Sequence, residues 1–235
     1  MPNYGDPIYW EKRYEEQKGK TFDWLEDYES LKLIIQNLID KSGKILILGC
    51  GNAEFGEDMY QDGYLNIDNI DISSVVIQQM TDRNLEKPEM TWSVMDVRDL
   101  KFPSQTFDMA IDKSTIDALL CGEDAYINVA RMTKEVQRVL KNGGYYMAIS
   151  YGIPETRLDH FNWKHLHWEV SHQVINEGSE SPHYIYLCRR KEGAEEIAEA
   201  NWQEVEESLT EDKGKGSGEE EEEEEVEGEE EIDIG

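Results

Sequence analysis

Cationic residues are scarce in this sequence: 23 Lys and Arg stand against 52 Asp and Glu, a formal net charge of -29. A chain this acidic lacks the cations that replace counterions on a phosphate backbone, which excludes nucleic acid as an expected partner. Cysteine is nearly absent. Cys50, Cys121 and Cys188 are scattered without metal-site spacing, and they suit a reducing compartment. No apolar run approaches the length of a membrane-spanning helix, so no membrane association is expected. Met1-Pro2-Asn3-Tyr4-Gly5-Asp6 has neither a basic, apolar signal pattern nor an Arg-rich transit pattern, so the expected compartment is the cytoplasm, alone or with the nucleus. Histidines stand at positions 160, 165, 167, 172 and 183. His165 and His167 would share a strand face, but no acid or cysteine spacing completes a site around them. They read as edge-strand residues, and no metal is expected.

What is present begins at Lys44-Ile45-Leu46-Ile47-Leu48-Gly49-Cys50-Gly51-Asn52. The short apolar run reads as a buried parallel strand, and Gly-x-Gly-Asn as a tight turn before a helix at about Glu54–Gln61. Glycine there lets the backbone approach a ligand with no Cβ in the way. Asn66 to Asp71 reads as a second strand ending in a carboxylate, which can accept hydrogen bonds from both hydroxyls of a ribose. Gly-x-Gly alone marks many structural turns. Strand, glycine turn, helix, strand and terminal acid in this order point to a site for a nucleoside-containing cofactor.

Upstream, Pro7 to Leu38 carries helical patterning with Tyr9, Trp10, Tyr14, Phe22, Trp24 and Tyr28, most of which read as core. Trp24 follows a Lys18-Gly19-Lys20 turn and would cap a pocket from a loop. Downstream, Ser73 is an expected N-cap for a helix to Arg83. Strands are expected at Met90–Met95, Thr106–Asp112 and Tyr145–Tyr151, with helices at Thr115–Leu120 and Ala125–Leu140. Asn142-Gly143-Gly144 is expected to stop the long helix. His165–Ile175 and His183–Arg190, joined by a Glu177-Gly178-Ser179 turn, read as an antiparallel pair. The whole predicts an α/β fold: a Rossmann-like, mostly parallel seven-stranded sheet with an antiparallel C-terminal edge and helices on both faces. Gly49, Asp71, Asp96 and Asp112 fall at carboxyl ends of strands, where such sheets bind ligands. One domain is expected over 1–191, an acidic and solvent-exposed helical extension over 192–212, and a disordered acidic tail over 213–235.

Tyr9-Trp10-Glu11-Lys12-Arg13-Tyr14, Phe22-Asp23-Trp24, Ile47 to Asn52, Asn69 to Ser73, Met95-Asp96-Val97 and Asp112 to Leu120 together resemble the class I S-adenosylmethionine-dependent methyltransferases. Within them the chain is most similar to the methyltransferase-like 13 group, which methylates elongation factor 1-alpha on lysine. The resemblance covers about residues 7 to 150. This chain has Ser114 and Ala53 where the family usually has Gly and Ser. The resemblance implies S-adenosylmethionine as cofactor, with Gly49, Gly51 and Asn52 along its methionine and ribose portions and Asp71 on the ribose hydroxyls. It implies Ile72 and Val97 against adenine, Asp96 accepting from the adenine amino group, and Trp10, Tyr14 and Trp24 closing over the cofactor.

Lys113 would lie near the transferring methyl; the competing reading is a surface lysine paired with Asp112 or Asp117. Asp112 and Asp117 are the candidate acids to attract a lysine and accept its proton through water, and the sequence does not choose between them. The expected function is lysine methylation of a protein with a basic target region, elongation factor 1-alpha among the candidates, by a monomer. Small-molecule methylation on the same fold, and a non-catalytic scaffold acting through the acidic tail, are the alternatives.

Overall fold

All four residues of Ile45–Leu48 are buried, as an inner parallel strand requires, since helices cover both of its faces. In the computed structural model, which describes residues 2–17, 20–176, 178 and 181–211, this strand is β1. It is preceded by α1 (Pro7–Gln17) and α2 (Tyr28–Leu38). After it come α3 (Phe55–Gln61), β2 (Ile67–Asp71), α4 (Ser74–Arg83), β3 (Met90–Val94), β4 (Phe107–Lys113), α5 (Thr115–Leu120) and α6 (Ala125–Val139). The chain continues through β5 (Leu140–Ser150), α7 (Pro154–Phe161), β6 (Trp168–Ile175), β7 (His183–Arg190) and α8 (Ala194–Glu211).

The seven strands lie in the order β3-β2-β1-β4-β5-β7-β6. The first five are parallel, while β7 runs antiparallel to both β5 and β6. Chain direction across the sheet reverses between β1 and β4, and the carboxyl ends of strands flanking such a switch leave a crevice. Side-chain alternation builds two cores. Ile45 and Ile47 face Leu31 and Ile35 of α2, Phe55 and Met59 of α3, and Met80 of α4. Leu46 and Leu48 face Ile116 of α5 and Val129, Met132 and Val136 of α6, residues spaced for one helix face. Ser73 caps α4, its hydroxyl accepting from Val76 N at 3.3 Å.

Three expectations change, and one helix is added. The long helix stops at Val139, before Asn142-Gly143-Gly144, and Leu140 is already strand. Gly143 has φ +78°, and the β4–β5 register shifts between Phe107 and Met109, so the glycines bend a strand instead of ending a helix. The strand expected from His165 begins at Trp168, which leaves His165 and His167 in the preceding turn. Pro154–Phe161 is a helix, with proline at its first position where no N–H is needed. Finally, α8 is docked. Ala198 and Val205 are buried, and Val205 packs with Ile127 and Ala130 of α6 and with Trp202 and Leu209 of α8 itself. Arg131 and Glu206 pair across the α6–α8 contact at 2.9 Å. The expected tail over 213–235 lies outside the described residues, as do parts of the turns expected at 18–20 and 177–179. No helix among the described residues is long and apolar enough to cross a membrane.

Docking of α8 is testable. Val205→Asp buries a carboxylate against Ile127 and Ala130, and we expect a loss of roughly 2 kcal/mol or more in urea unfolding. An unchanged midpoint would mean that α8 does not pack on α6.

Candidate functional site

The crevice at the β1–β4 switch holds a cavity of about 260 Å³. Its floor is the turn after β1. Gly49 (φ +61°) and Gly51 (φ +53°) are left-handed, and a Cβ on Gly49 would lie 2.2 Å from Thr115 Oγ1. That hydroxyl donates to Leu48 O at 2.9 Å, so α5 is fastened against the bare backbone. Asp71 ends β2 and is buried. Its Oδ2 accepts from Gly51 N and its Oδ1 from Ser73 N, both at 2.9 Å. Burial pushes this carboxyl up to about 6, against the lowering effect of the Ser73, Gly51 and Ile72 N–H groups.

The roof is α1 with the loop that follows it. Pro7, Trp10, Tyr14 and Gln17 recur along one helix face and line the cavity. Trp10 stacks on Tyr14 at 5.9 Å, and Trp24 meets Trp10 edge-on at 6.5 Å. Arg13 lies over Trp10, Phe22 and Trp24 at 5.6, 5.1 and 5.3 Å, which joins helix and loop through cation–π contacts. Two anchors hold the roof down. Glu11 reaches α4, where its Oε1 accepts from Ser74 N at 2.9 Å and its Oε2 from Ser73 Oγ at 2.9 Å and Val75 N at 3.2 Å. Burial raises the Glu11 carboxyl, but these donors outweigh it and hold it below its ordinary value. At the amino end, a Cβ on Gly5 would lie 2.3 Å from Gly122 Cα, so the segment before α1 touches the α5–α6 loop backbone to backbone.

Trp10, Tyr14, Trp24, Gly49, Gly51, Asn52, Asp71, Ile72, Asp96, Val97, Lys113 and Asp117 all line the cavity. Asp112 does not. It is fully buried beneath α5, where it accepts from Thr115 N at 2.7 Å, Ile116 N at 3.1 Å and Tyr146 Oη at 2.9 Å. Burial pushes it up to about 7. Lys113 pairs with neither Asp112 nor Asp117. Its ammonium meets Asp23 and donates to the carbonyls of Trp24 (3.1 Å) and Glu26 (2.7 Å), tying the roof loop to β4. Burial lowers this ammonium to about 7. Asp96 receives Arg98 N and Nε on one oxygen and Nε and Nη2 on the other, at 2.6–3.0 Å. Burial would raise Asp96, yet Arg98 brings it below the usual carboxylate range.

Sequence reasoning missed Glu11, Arg13, Asp23, Arg98 and Arg157. The first three sit within the quoted motifs, but their partners are remote or aromatic. Ser114, where the resembling family carries glycine, has φ +67°, the conformation glycine adopts without strain. Among the described residues no group of three or more His, Cys, Asp or Glu is placed to hold a metal ion. The donor set fits S-adenosylmethionine: a bare glycine backbone, a buried strand-end carboxylate, aromatic faces, and one lining cation, Arg13, without an ion pair among the described residues.

A family model described as a methyltransferase domain matches residues 46–148. The chain is 42% identical over 181 residues to the eEF1A lysine and N-terminal methyltransferase of Mus musculus, covering 74% of this chain and 26% of that protein. It therefore spans about a quarter of that relative's length. It is 31% identical over 191 residues to the EEF1A lysine methyltransferase 4 of Mus musculus, covering 77% of this chain and 75% of the relative. A SAM-dependent methyltransferase of known structure from Leishmania major has TM-score 0.58 at 13% identity, covering 80% of this chain and 87% of that one.

The Glu11 anchor carries a signed pH dependence. A carboxyl held below its unfolded value stabilises the native state above that unfolded value, and the contribution is lost as pH falls through the folded one. Wild type should therefore exceed Glu11→Gln in thermal midpoint at pH 7, with the gap closing below about pH 4. A gap independent of pH would show that the Glu11 charge does not hold the roof.

Proposed function

This chain belongs to the class I S-adenosylmethionine-dependent methyltransferases, and from that premise we propose that it methylates a lysine amine within a basic segment of a protein, elongation factor 1-alpha being the preferred acceptor. The observation that carries the reading is that Asp71, the glycine turn and the aromatic roof open into one cavity, in a chain related over most of its length to a protein named for this reaction. When bound, S-adenosylmethionine supplies a methyl group on a sulfonium, an activated centre that needs orientation and a dry cavity more than covalent help from the protein.

In this reading Asp71 holds the ribose hydroxyls on the acceptor positions that Gly51 N and Ser73 N leave free. Gly49, Gly51 and Asn52 present backbone to the cofactor. Arg13 faces its carboxylate, since Lys113 and Arg98 already carry acids of their own. Ile72 and Val97 flank the base. Asp96, with Arg98 on both its oxygens, fixes the backbone beside Val97 more than it contacts the base directly. Trp10, Tyr14 and Trp24 exclude water and offer ring faces to a cationic centre. Lys113 keeps the roof loop closed. Asp112 positions α5, and the acceptor's proton leaves through water at the cavity mouth.

Asp71 supplies a pH test. Below about 6 its carboxyl is protonated and one acceptor oxygen becomes a donor. Calorimetry should show cofactor affinity falling between pH 7.5 and 5.5. Asp71→Asn should bind roughly 1.5–3 kcal/mol more weakly at the higher pH and lose most of the dependence. A wild-type affinity flat across this interval would remove Asp71 from the ribose contact.

The acceptor is tested with methyl-labelled cofactor and recombinant elongation factor 1-alpha. Label should enter a lysine of that protein. At subsaturating acceptor the rate should fall as salt rises, because a chain of net charge -29 draws a basic segment through a field that salt screens over about 8–10 Å. Label appearing only in a small-molecule fraction of a lysate would overturn the protein-lysine reading.

A further inference from the structure

Between the ends of β4 and β5 the cavity is bounded by Asp117 and Tyr151. Tyr151 is 48% exposed, an aromatic ring standing in solvent directly after a strand whose last residues are buried. Its backbone is fixed, because Tyr151 N donates to Asp117 Oδ2 at 3.2 Å. Asp117 is itself clamped: Arg157 Nη2 and Ser150 Oγ both reach Oδ1 at 2.6 Å, and Ser114 Oγ reaches Oδ2 at 3.2 Å. Arg157 Nε also donates to Ser150 Oγ at 2.9 Å, and only a glycine at 152 leaves room, since a Cβ there would lie 2.4 Å from the guanidinium. The ring is fixed as well. It stands edge-on to His183 at 5.1 Å, and His183 Nδ1 lies 2.8 Å from Glu26 Oε1. Glu26 O is one of the carbonyls that hold Lys113, so this brace runs into the roof loop. Among the described residues nothing hydrogen-bonds the Tyr151 hydroxyl.

We infer that Tyr151 forms the acceptor-side wall of the site, receiving the methylene stem and amine of a lysine side chain, and that Arg157 is the positioning residue that holds this wall and cancels the charge of Asp117. The inference rests on the protein-lysine reading above. An aromatic face suits a primary or methylated amine, charged or neutral. The Arg157–Asp117 pair matters for the proton. An unpaired carboxylate beside the channel would trap the incoming lysine as ammonium and raise the pH at which it becomes nucleophilic; a paired one does not. The charged and titratable groups that face Asp117 are Asp112 from β4, Tyr146 from β5, Arg157 from α7 and Tyr186 from β7. Arg157 is the one in direct contact with its carboxylate.

The test uses the full chain with elongation factor 1-alpha as acceptor, and calorimetry for cofactor affinity. Tyr151→Ala removes an exposed side chain and should raise the acceptor KM about tenfold, with cofactor affinity within about twofold. Arg157→Ala should move the acidic limb of the kcat/KM profile upward by roughly one pH unit, and Arg157→Lys, which keeps the charge, should return it. A purely structural Arg157 would lower the melting temperature and leave the limb in place, which overturns its assignment, as does a limb that Lys fails to return. Tyr151→Ala with unchanged acceptor KM, or with cofactor affinity falling in step, overturns the wall. A wild-type chain that binds the cofactor and labels no protein would instead overturn the underlying reading.

Discussion

A buried carboxylate must find donors, and at the end of β2 the donors within reach are backbone N–H groups. Asp71 takes Gly51 N from the turn after β1 and Ser73 N from the start of α4, so one side chain sets the relative position of two strand ends and a helix. The rest of the site is arranged around that knot. Glu11 docks on the same α4 terminus, one residue beyond the Asp71 contact, and brings α1 over the cavity. Thr115 closes the other side of the glycine turn from α5, which Asp112 holds from below. The floor, the α1 roof helix and α5 are therefore fixed by three carboxylates bound mainly to backbone amides, and none of the three needs a cation to be satisfied.

The cations are deployed differently. Of those lining the cavity, Arg98 is spent on Asp96 and Lys113 on Asp23 and two carbonyls. Arg13 instead lies among Trp10, Phe22 and Trp24, with one N–H given to Tyr9 Oη at 3.0 Å and the others left available to an anion. In so acidic a chain a positive charge near the cleft is a limited resource, and packing it against rings keeps it from pairing with a neighbouring acid.

The sheet was legible because its signals are local. Ile45–Leu48 is a continuous apolar run, two glycines end it, and Ser73 announces the next helix. β4 shows how far such reading carries. Asp112 and Lys113 are adjacent, so their side chains point to opposite faces. Asp112 shares the face of Ala110 under α5, while Ile111 and Lys113 reach the cavity. Period-two counting alone separates them. The docking of α8 was hidden for another reason: its inward face, Ala194, Ala198 and Val205 with Trp202 and Leu209 partly buried beside them, is scattered through a segment dominated by glutamate. The tertiary contacts were beyond reach. Glu11 meets Ser73 across 62 residues, Asp117 meets Arg157 across 40, and Lys113 meets Asp23 across 90. No pattern in a single chain declares such pairings.

The anchorage of α1 also ties its shape to distant parts of the chain. Eleven residues are too few for a stable isolated helix, so α1 owes its shape to what it lies on. Its two anchors lie later in the chain: Ser73 and Ser74 for Glu11, Gly122 for Gly5. Closing loops of that length carries an entropy cost that the anchoring contacts must offset. The shape of α1 is thus set by residues that lie far from it in sequence. The same helix roofs the cavity, so the roof rests on two polar and backbone anchors outside the sheet core, at Glu11 and at Gly5.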